Sequence, residues 1–442
     1  MGSIIGAIFA FAIVCGILVF VHEFGHFFMA KLIGVRVETF SWGYGKRLVG
    51  FKKGDTDYRI SLIPMGGYVK LSGEEDYEKK EYDPGNFMSK KRWQKFLVFF
   101  MGPLMNIVLA IILVGIVNMV GTDVPEYQGQ KPVIGHIESG SPADRAGFQV
   151  DDEILCINKK KMKKWRDVEL AVGTKPEKNI FIDVRRGKEI KSLKLLTESR
   201  TKYDMGYAGF YGKILTRVAM VRRNSPAEKS GIMLSDVILR INDIPVYYFQ
   251  FEEVISKNAG KELDFLIERG GETLKFKVTP ELKGKGGEIG VEYYPETVVR
   301  KYKFFSAFNE SIKSNLELTF LVFDFLGNLI TGEVSTKQLG GPIDIASFSY
   351  TYFRMGLIAL VGWIAFISLQ LGVINLFPVP VLDGGQILVV IIEGLFRRDF
   401  SPKLKQIIMQ IGFLIFIFFV GFVILNDVAK RLPNGWSSIF PW

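Results

Sequence analysis

The sequence predicts an α+β membrane protein. It should have four transmembrane helices, a β-hairpin beside them, and two tandem β-rich domains between the second and third helices. Three observations predict this class. Residues 1–21 carry no charge, and three later stretches are also apolar and long enough to cross a bilayer. Residues 141–158 align with 225–242 at a constant offset of 84, with nine of 18 positions identical, which marks a duplicated domain. The 442 residues are 48% hydrophobic, with 37 Phe and a mean hydropathy of +0.20, suiting a membrane protein with a large water-exposed part.

The first helix occupies 1–33. It lacks the basic start and small-residue cleavage site of a signal peptide. Segment 34–95 follows, and within it Tyr58–Leu71 reads as two short strands around Pro64 and Gly66-Gly67, a hairpin with an apolar tip. Glu74–Asp83 reads as a solvated, charged loop or helix. The second transmembrane helix is 96–120. The repeated domains are 125–212 and 213–298. Residues 299–356 include a Phe- and Leu-rich stretch interrupted by Lys313, Glu317 and Asp324, expected to lie as amphipathic helix at the membrane surface. The third transmembrane helix is 357–385, and 386–442 holds the fourth and a C-terminal tail.

Segment 31–95 carries 14 Lys and Arg, and more basic residues lie at Arg397, Arg398, Lys403 and Lys405. The positive-inside rule places both segments in the cytoplasm, with the termini and the repeated domains outside. The net charge of +10 is spread among 56 basic and 46 acidic residues. That favours contact with a membrane surface over nucleic acid. Two cysteines, Cys15 and Cys156, exclude a disulfide framework.

The chemistry is carried by His22-Glu23-Phe24-Gly25-His26. HExxH on a helix turns two imidazoles towards one metal ion, and the Glu can act as general base on metal-bound water. The chain has only three histidines, so a chance match is improbable, on the order of 0.001. The plainer alternative is polar side chains joining helices, but His and Glu inside a membrane are costly and mark functional sites by default. A zinc hydrolase needs a third ligand at the same depth. Asp383 fits. It follows Asn375-Leu376-Phe377-Pro378-Val379-Pro380-Val381-Leu382, where the prolines break the helix. The alternative is a kinked span with Asp383 solvated. A fifth span over 303–330 would put Asp383 across the bilayer from His22, roughly 30 Å away, so none is expected there.

HExxH paired with N-x-x-P-x-x-x-L-D-G resembles the site-2 protease family of intramembrane zinc metalloproteases. Gly102-Pro103-Leu104-Met105-Asn106 and Pro64-Met65-Gly66-Gly67-Tyr68-Val69-Lys70 match further family patterns, and the resemblance covers essentially the whole chain. It implies one Zn²⁺ on His22, His26 and Asp383, with Glu23 as the catalytic base. It further implies substrate contacts from Asn375, Gly66, Gly67, Tyr68 and Asn106, the last also ordering helix packing nearby. The 58–71 hairpin would re-enter the membrane and hold an unwound substrate as an added strand. Expected partners are the lipid bilayer and single-span substrates, namely an anti-sigma factor already trimmed by an upstream site-1 protease, and signal-peptide remnants. The expected location is the bacterial inner membrane.

The repeat, Ser-Pro-Ala then Gly then D-x-I-L-x-I-N, resembles the bacterial PDZ pattern. Gly206–Phe210 and Gly290–Tyr294 are then candidate carboxylate loops, with Gly206 and Gly290 at the common offset. Paired PDZ domains outside the membrane would bind a peptide end or cap the active site. His136 is expected to be a surface histidine.

Overall fold

The computed structural model describes residues 2–74, 83–284, 286–432 and 436, with the backbone alone for Gly2, Ser3, Pro64 and Met65. Most of the expected charged loop at 74–83, and nearly all of the C-terminal tail, lie outside the described residues. The chain forms two compact units, 122–300 with 328–338, and the remainder.

The helical unit contains α1 (Gly2–Leu32), α2 (Arg92–Val120), α3 (Phe304–Ile330), α4 (Pro342–Met355), α5 (Leu357–Asn375), α6 (Asp383–Leu395) and α7 (Pro402–Ala429). Four of these are long and apolar enough to span a bilayer: α1, α2, α5 and α7. The break after α5 comes earlier than expected. Asn375 ends the helix, and residues 376–382 form an irregular strap before α6 begins at Asp383. Pro378 and Pro380 cannot continue an α-helix.

α3 is a single helix packed on α2. It runs along α2, with the Tyr302 N–H donating to the Asn118 carbonyl at 3.0 Å and Ser311 Oγ to the Ile111 carbonyl at 2.7 Å. Its buried face is small and polar (Ala307, Ser311, Asn315), whereas Phe305, Ile312, Leu316 and Phe320 are exposed. Its outward side mixes these apolar residues with the exposed charges Lys313, Glu317 and Asp324, while Val322, Leu318 and Leu326 pack inward. α4 is tied to α7 by buried charge. Asp427 accepts the N–H groups of Gly341, Ile343 and Asp344, and Asp344 pairs with Lys430 at 2.8 Å and Arg431 at 2.7 Å.

Between α1 and α2 lie two long strands, β1 (Val37–Lys53) and β2 (Thr56–Leu71). The expected hairpin inside 58–71 is replaced by this larger one, which turns at Gly54-Asp55. Both strands fold back on themselves. Phe40 therefore has Val69 on one side and Tyr58 on the other, and Ser41 has Tyr68 and Arg59. The resulting sheet runs 47–53, 56–61, 37–42, 67–71. Gly43, Gly45 and Gly66, all at positive φ, permit the folds. Segment 67–71 is an outer edge, with no further strand paired to it among the described residues.

In the second unit each repeat builds a β-rich module around its own apolar core. Ser141 and Ser225 cap short helices, each accepting the N–H three residues on. Asp152 and Asp236 are fully buried, each in a two-point pair with Arg186 or Arg269. One correspondence shifts. The partner of Gly290 is Gly209, not Gly206. Both have positive φ, both pack on the capping serine, and both offer carbonyls to matching N–H groups, those of Glu138 and Arg222. Gly206 instead lies in the short strand Met205–Tyr207, against the Val172 carbonyl. The repeat shortens slightly before this loop in the second module, which a fixed offset cannot follow. His136 is not a free surface group. It is half-buried and stacks on Tyr211, with centroids 6.0 Å apart.

Candidate active site

α1 carries His22 and His26 one turn apart, and both are buried at 8% exposure. α2 packs on this face with its backbone. A Cβ on Gly25 would lie 2.4 Å from the Met101 carbonyl oxygen, and a Cβ on Gly102 would lie 2.3 Å from His26 Nε2 and 3.0 Å from His22 Cε1. Two glycines therefore bring the helices close enough for the imidazoles to lie over Gly102. The strap after α5 brings the third group. Gly384 and Gly385 let it fold back, since a Cβ on either would meet the 376–380 backbone at 2.1–2.5 Å.

The outcome is a tight triangle. His22 Nε2 is 3.0 Å from an Asp383 carboxylate oxygen, His26 Nε2 is 3.4 Å from the other, and the two Nε2 atoms are 3.2 Å apart. A tetrahedral ion with bonds of 2.0–2.1 Å holds its ligand atoms about 3.3 Å apart. Each imidazole thus stands at about the edge length a zinc ion requires from the other imidazole and from its own Asp383 oxygen, and the donor set, two imidazoles and a carboxylate, is one zinc favours.

The outer nitrogens fix the rings. His26 Nδ1 is 2.8 Å from the Val98 carbonyl, and His22 Nδ1 is 3.3 Å from the Asn106 side-chain amide. With Nε2 turned to a metal, each Nδ1 carries the proton and needs an acceptor. Val98 supplies one. For His22 the atom at 3.3 Å is Asn106 Nδ2, while Asn106 Oδ1 sits buried without a partner; turning the amide over puts Oδ1 on Nδ1 as its acceptor and satisfies both. Asn106 is fully buried behind His22 and does not line the cavity, so its contact is with the ligand and not with a substrate.

The cavity before the triangle is about 320 Å³ and includes Glu23, Gly67, Tyr68, Asn375 and Tyr44 in its walls. Glu23 Oε2 accepts the Val69 N–H at 3.1 Å, so the Glu sits between the triangle and the free sheet edge. A Cβ on Gly67 would meet the Ser41 carbonyl at 2.7 Å, and one on Gly66 would meet the Tyr44 ring at 2.2 Å. Both glycines thus serve the bend that presents the edge; Gly67 also faces the cavity, and Gly66 stands back from it. Tyr44, Gly25 and the Val98 carbonyl were not singled out from sequence. Gly25, a small residue between the two histidines on the helix, was the available signal.

The sequence model of Peptidase family M50 matches residues 10–419. The chain is 32% identical to regulator of sigma-E protease RseP of Escherichia coli strain K12, over 95% of this chain and 98% of that protein. It is 32% identical to its namesake in Salmonella typhimurium, over 97% and 100%. It is 31% identical to a provisionally named zinc metalloprotease of Pasteurella multocida, over 95% and 98%. Helices that can span a bilayer, an HExxH turn closed by a distant Asp, and likeness over nearly the full length place the chain in peptidase family M50, the site-2 proteases.

Proposed function

We propose that this zinc metalloprotease is an intramembrane endopeptidase that performs regulated proteolysis of single-span membrane proteins. The observation that carries the reading is the triangle of His22, His26 and Asp383 at 3.0–3.4 Å, beside Glu23 and a free strand edge. His22, His26 and Asp383 hold zinc. Bound zinc supplies Lewis acidity, polarising the scissile carbonyl and making water a nucleophile at neutral pH. Glu23 takes the proton from the attacking water and returns it to the leaving amine. Asn375 offers its side-chain amide to the oxyanion or the substrate backbone.

A substrate helix hides its carbonyls in hydrogen bonds, so it must be unwound before cleavage. The 67–71 edge does this by strand addition, which puts the scissile bond beside Glu23. The exposed apolar side chains of the sheet, Trp42, Leu48, Phe51 and Leu62 among them, suit a sheet that re-enters the membrane. The two β-rich modules are PDZ domains that admit substrates once an upstream site-1 protease has trimmed their outer part. Expected substrates are an anti-sigma factor and signal-peptide remnants. The enzyme sits in the bacterial inner membrane, with its termini and modules periplasmic and 34–95 cytoplasmic, an orientation supported by the 14 basic residues of 31–95.

The test uses purified protein in detergent and a trimmed single-span substrate, comparing wild type with Glu23→Gln and mapping fragments by mass spectrometry. A cut inside the apolar segment, present only in wild type, is expected. Cutting confined to the juxtamembrane region would instead identify a surface peptidase.

A further inference from the structure

Beyond the triangle the cavity does not end. A second hollow of about 530 Å³ shares Tyr68, Val69, Leu382 and Asp383 with the first and continues between α2, α6 and α7. One wall is the 68–70 edge. The opposite wall is a single face of α6, with Asp383, Gln386, Val390 and Glu393 at helical spacing. An extended chain added to the edge therefore runs down this hollow as it leaves the triangle.

The far end of the hollow is charged. Lys405 and Glu393 pair at 2.7 Å, and Glu393 also accepts the Phe400 N–H. Lys70 pairs with Glu38 at 3.0 Å, and Glu74 accepts the Leu71 N–H at 3.4 Å. Lys95 differs. It is 9% exposed and lines the hollow, yet its ammonium has no hydrogen bond or ion pair among the described residues. Two carboxylates stand near it, Glu393 and Asp399, but each is already paired, with Lys405 at 2.7 Å and with Arg92 at 2.8 Å. Among the described residues at this far end, three cations (Arg92, Lys95, Lys405) face two carboxylates (Glu393, Asp399), and Lys95 is the cation with no direct ion pair.

We infer that Lys95 forms a specificity subsite for an acidic side chain of the substrate, a few residues from the scissile bond; this rests on the protease reading above. Lys95 lies one helical turn before Val98, whose carbonyl holds His26, and Glu393 lies ten positions after Asp383, about 15 Å along α6. At about 3.3 Å per extended residue, the carboxylate belongs roughly three to five residues from the cut.

The experiment measures kcat/KM on single-span substrates carrying Glu, Gln or Lys at each position three to five residues from the cut, on both flanks. At one of these positions Glu should be preferred over Gln by about tenfold, and Lys should be disfavoured. Lys95→Met should erase the preference and Lys95→Arg should keep it. Equal rates for Glu, Gln and Lys at every position, with cleavage still dependent on Glu23, would overturn the subsite and leave the protease reading standing. An equal effect of Lys95→Met on all substrates would also overturn it, assigning Lys95 to the fold or to an anionic lipid headgroup. Absence of any Glu23-dependent cut would overturn both readings. The wild-type series decides the matter alone if Lys95→Met does not fold.

Discussion

Gly102→Ala is the most informative single substitution. In an unhindered helix it would stabilise by about 1 kcal/mol, because Gly is the poorer helix former. Here the new Cβ would stand 2.3 Å from His26 Nε2 and 2.5 Å from His26 Cε1. Ordinary contact needs about 3.5 Å, so the ring or the helix must move by about 1 Å. α2 cannot back away without losing the His26–Val98 bond at 2.8 Å and the packing of Met101 on Gly25. The imidazole must move instead, and in the proposed reading it is a zinc ligand. Metal bonds tolerate errors of about 0.2 Å, and a misplacement of about 1 Å costs on the order of 100-fold in rate. We expect zinc affinity, read by competition with a chelator, to fall about 100-fold, or about 2.7 kcal/mol. kcat/KM at saturating zinc should fall at least as far. Full zinc retention with cleavage within threefold of wild type would refute the idea that Gly102 sets the ligand positions.

Three further outcomes are expected. Asn106→Leu should lower zinc affinity about 10- to 100-fold by removing the acceptor for His22 Nδ1, with Asn106→Asp largely restoring it; equal affinity in all three proteins would show that the contact is idle. Arg186→Ala should destabilise the first β-rich module by about 3 kcal/mol in chemical denaturation, since it leaves the fully buried Asp152 unpaired; a loss below about 0.5 kcal/mol would argue against it. Burial alone would raise the Asp344 pKa, but Lys430 and Arg431 outweigh this and hold it below the ordinary carboxylate value. A depressed pKa in the folded state contributes stability that is present above about pH 4 and lost as pH falls through the folded value. The thermal midpoint of wild type should therefore exceed that of Asp344→Asn near neutral pH, and the gap should close in acid; a gap independent of pH would contradict the pairing.

The meeting of His22, His26 and Asp383 was legible in the sequence because each part is a short motif whose local geometry is fixed. HExxH sets two rings one turn apart, and prolines and glycines around Asp383 force a break. The surroundings were less legible because they depend on long-range pairing. β1 escaped notice since Gly43, Gly45 and Gly50 interrupt its alternation, and its residues acquire meaning only when β2 lies on both sides of them. In α3 the charges Lys313, Glu317 and Asp324 are exposed, as the amphipathic pattern predicts, whereas the inward turn of Ser311 and Asn315 depends on α2 and has no local signal. The shift from Gly206 to Gly209 reflects a small length difference that leaves the preceding Ser-Pro-Ala match intact.

The backbone-to-backbone seam at Gly25 and Gly102 has a mechanical consequence. Helices held apart by long side chains can slide by small rotamer changes, but these two meet without that cushion, so relative sliding would collide main chain with main chain. When bilayer thickness changes, transmembrane helices respond by tilting. α1 and α2 must then tilt as one rigid pair, carrying His22, His26 and the Val98 anchor together. The coordination geometry is thereby insulated from the thickness of the membrane around it, and adjustment falls to the elements outside the seam.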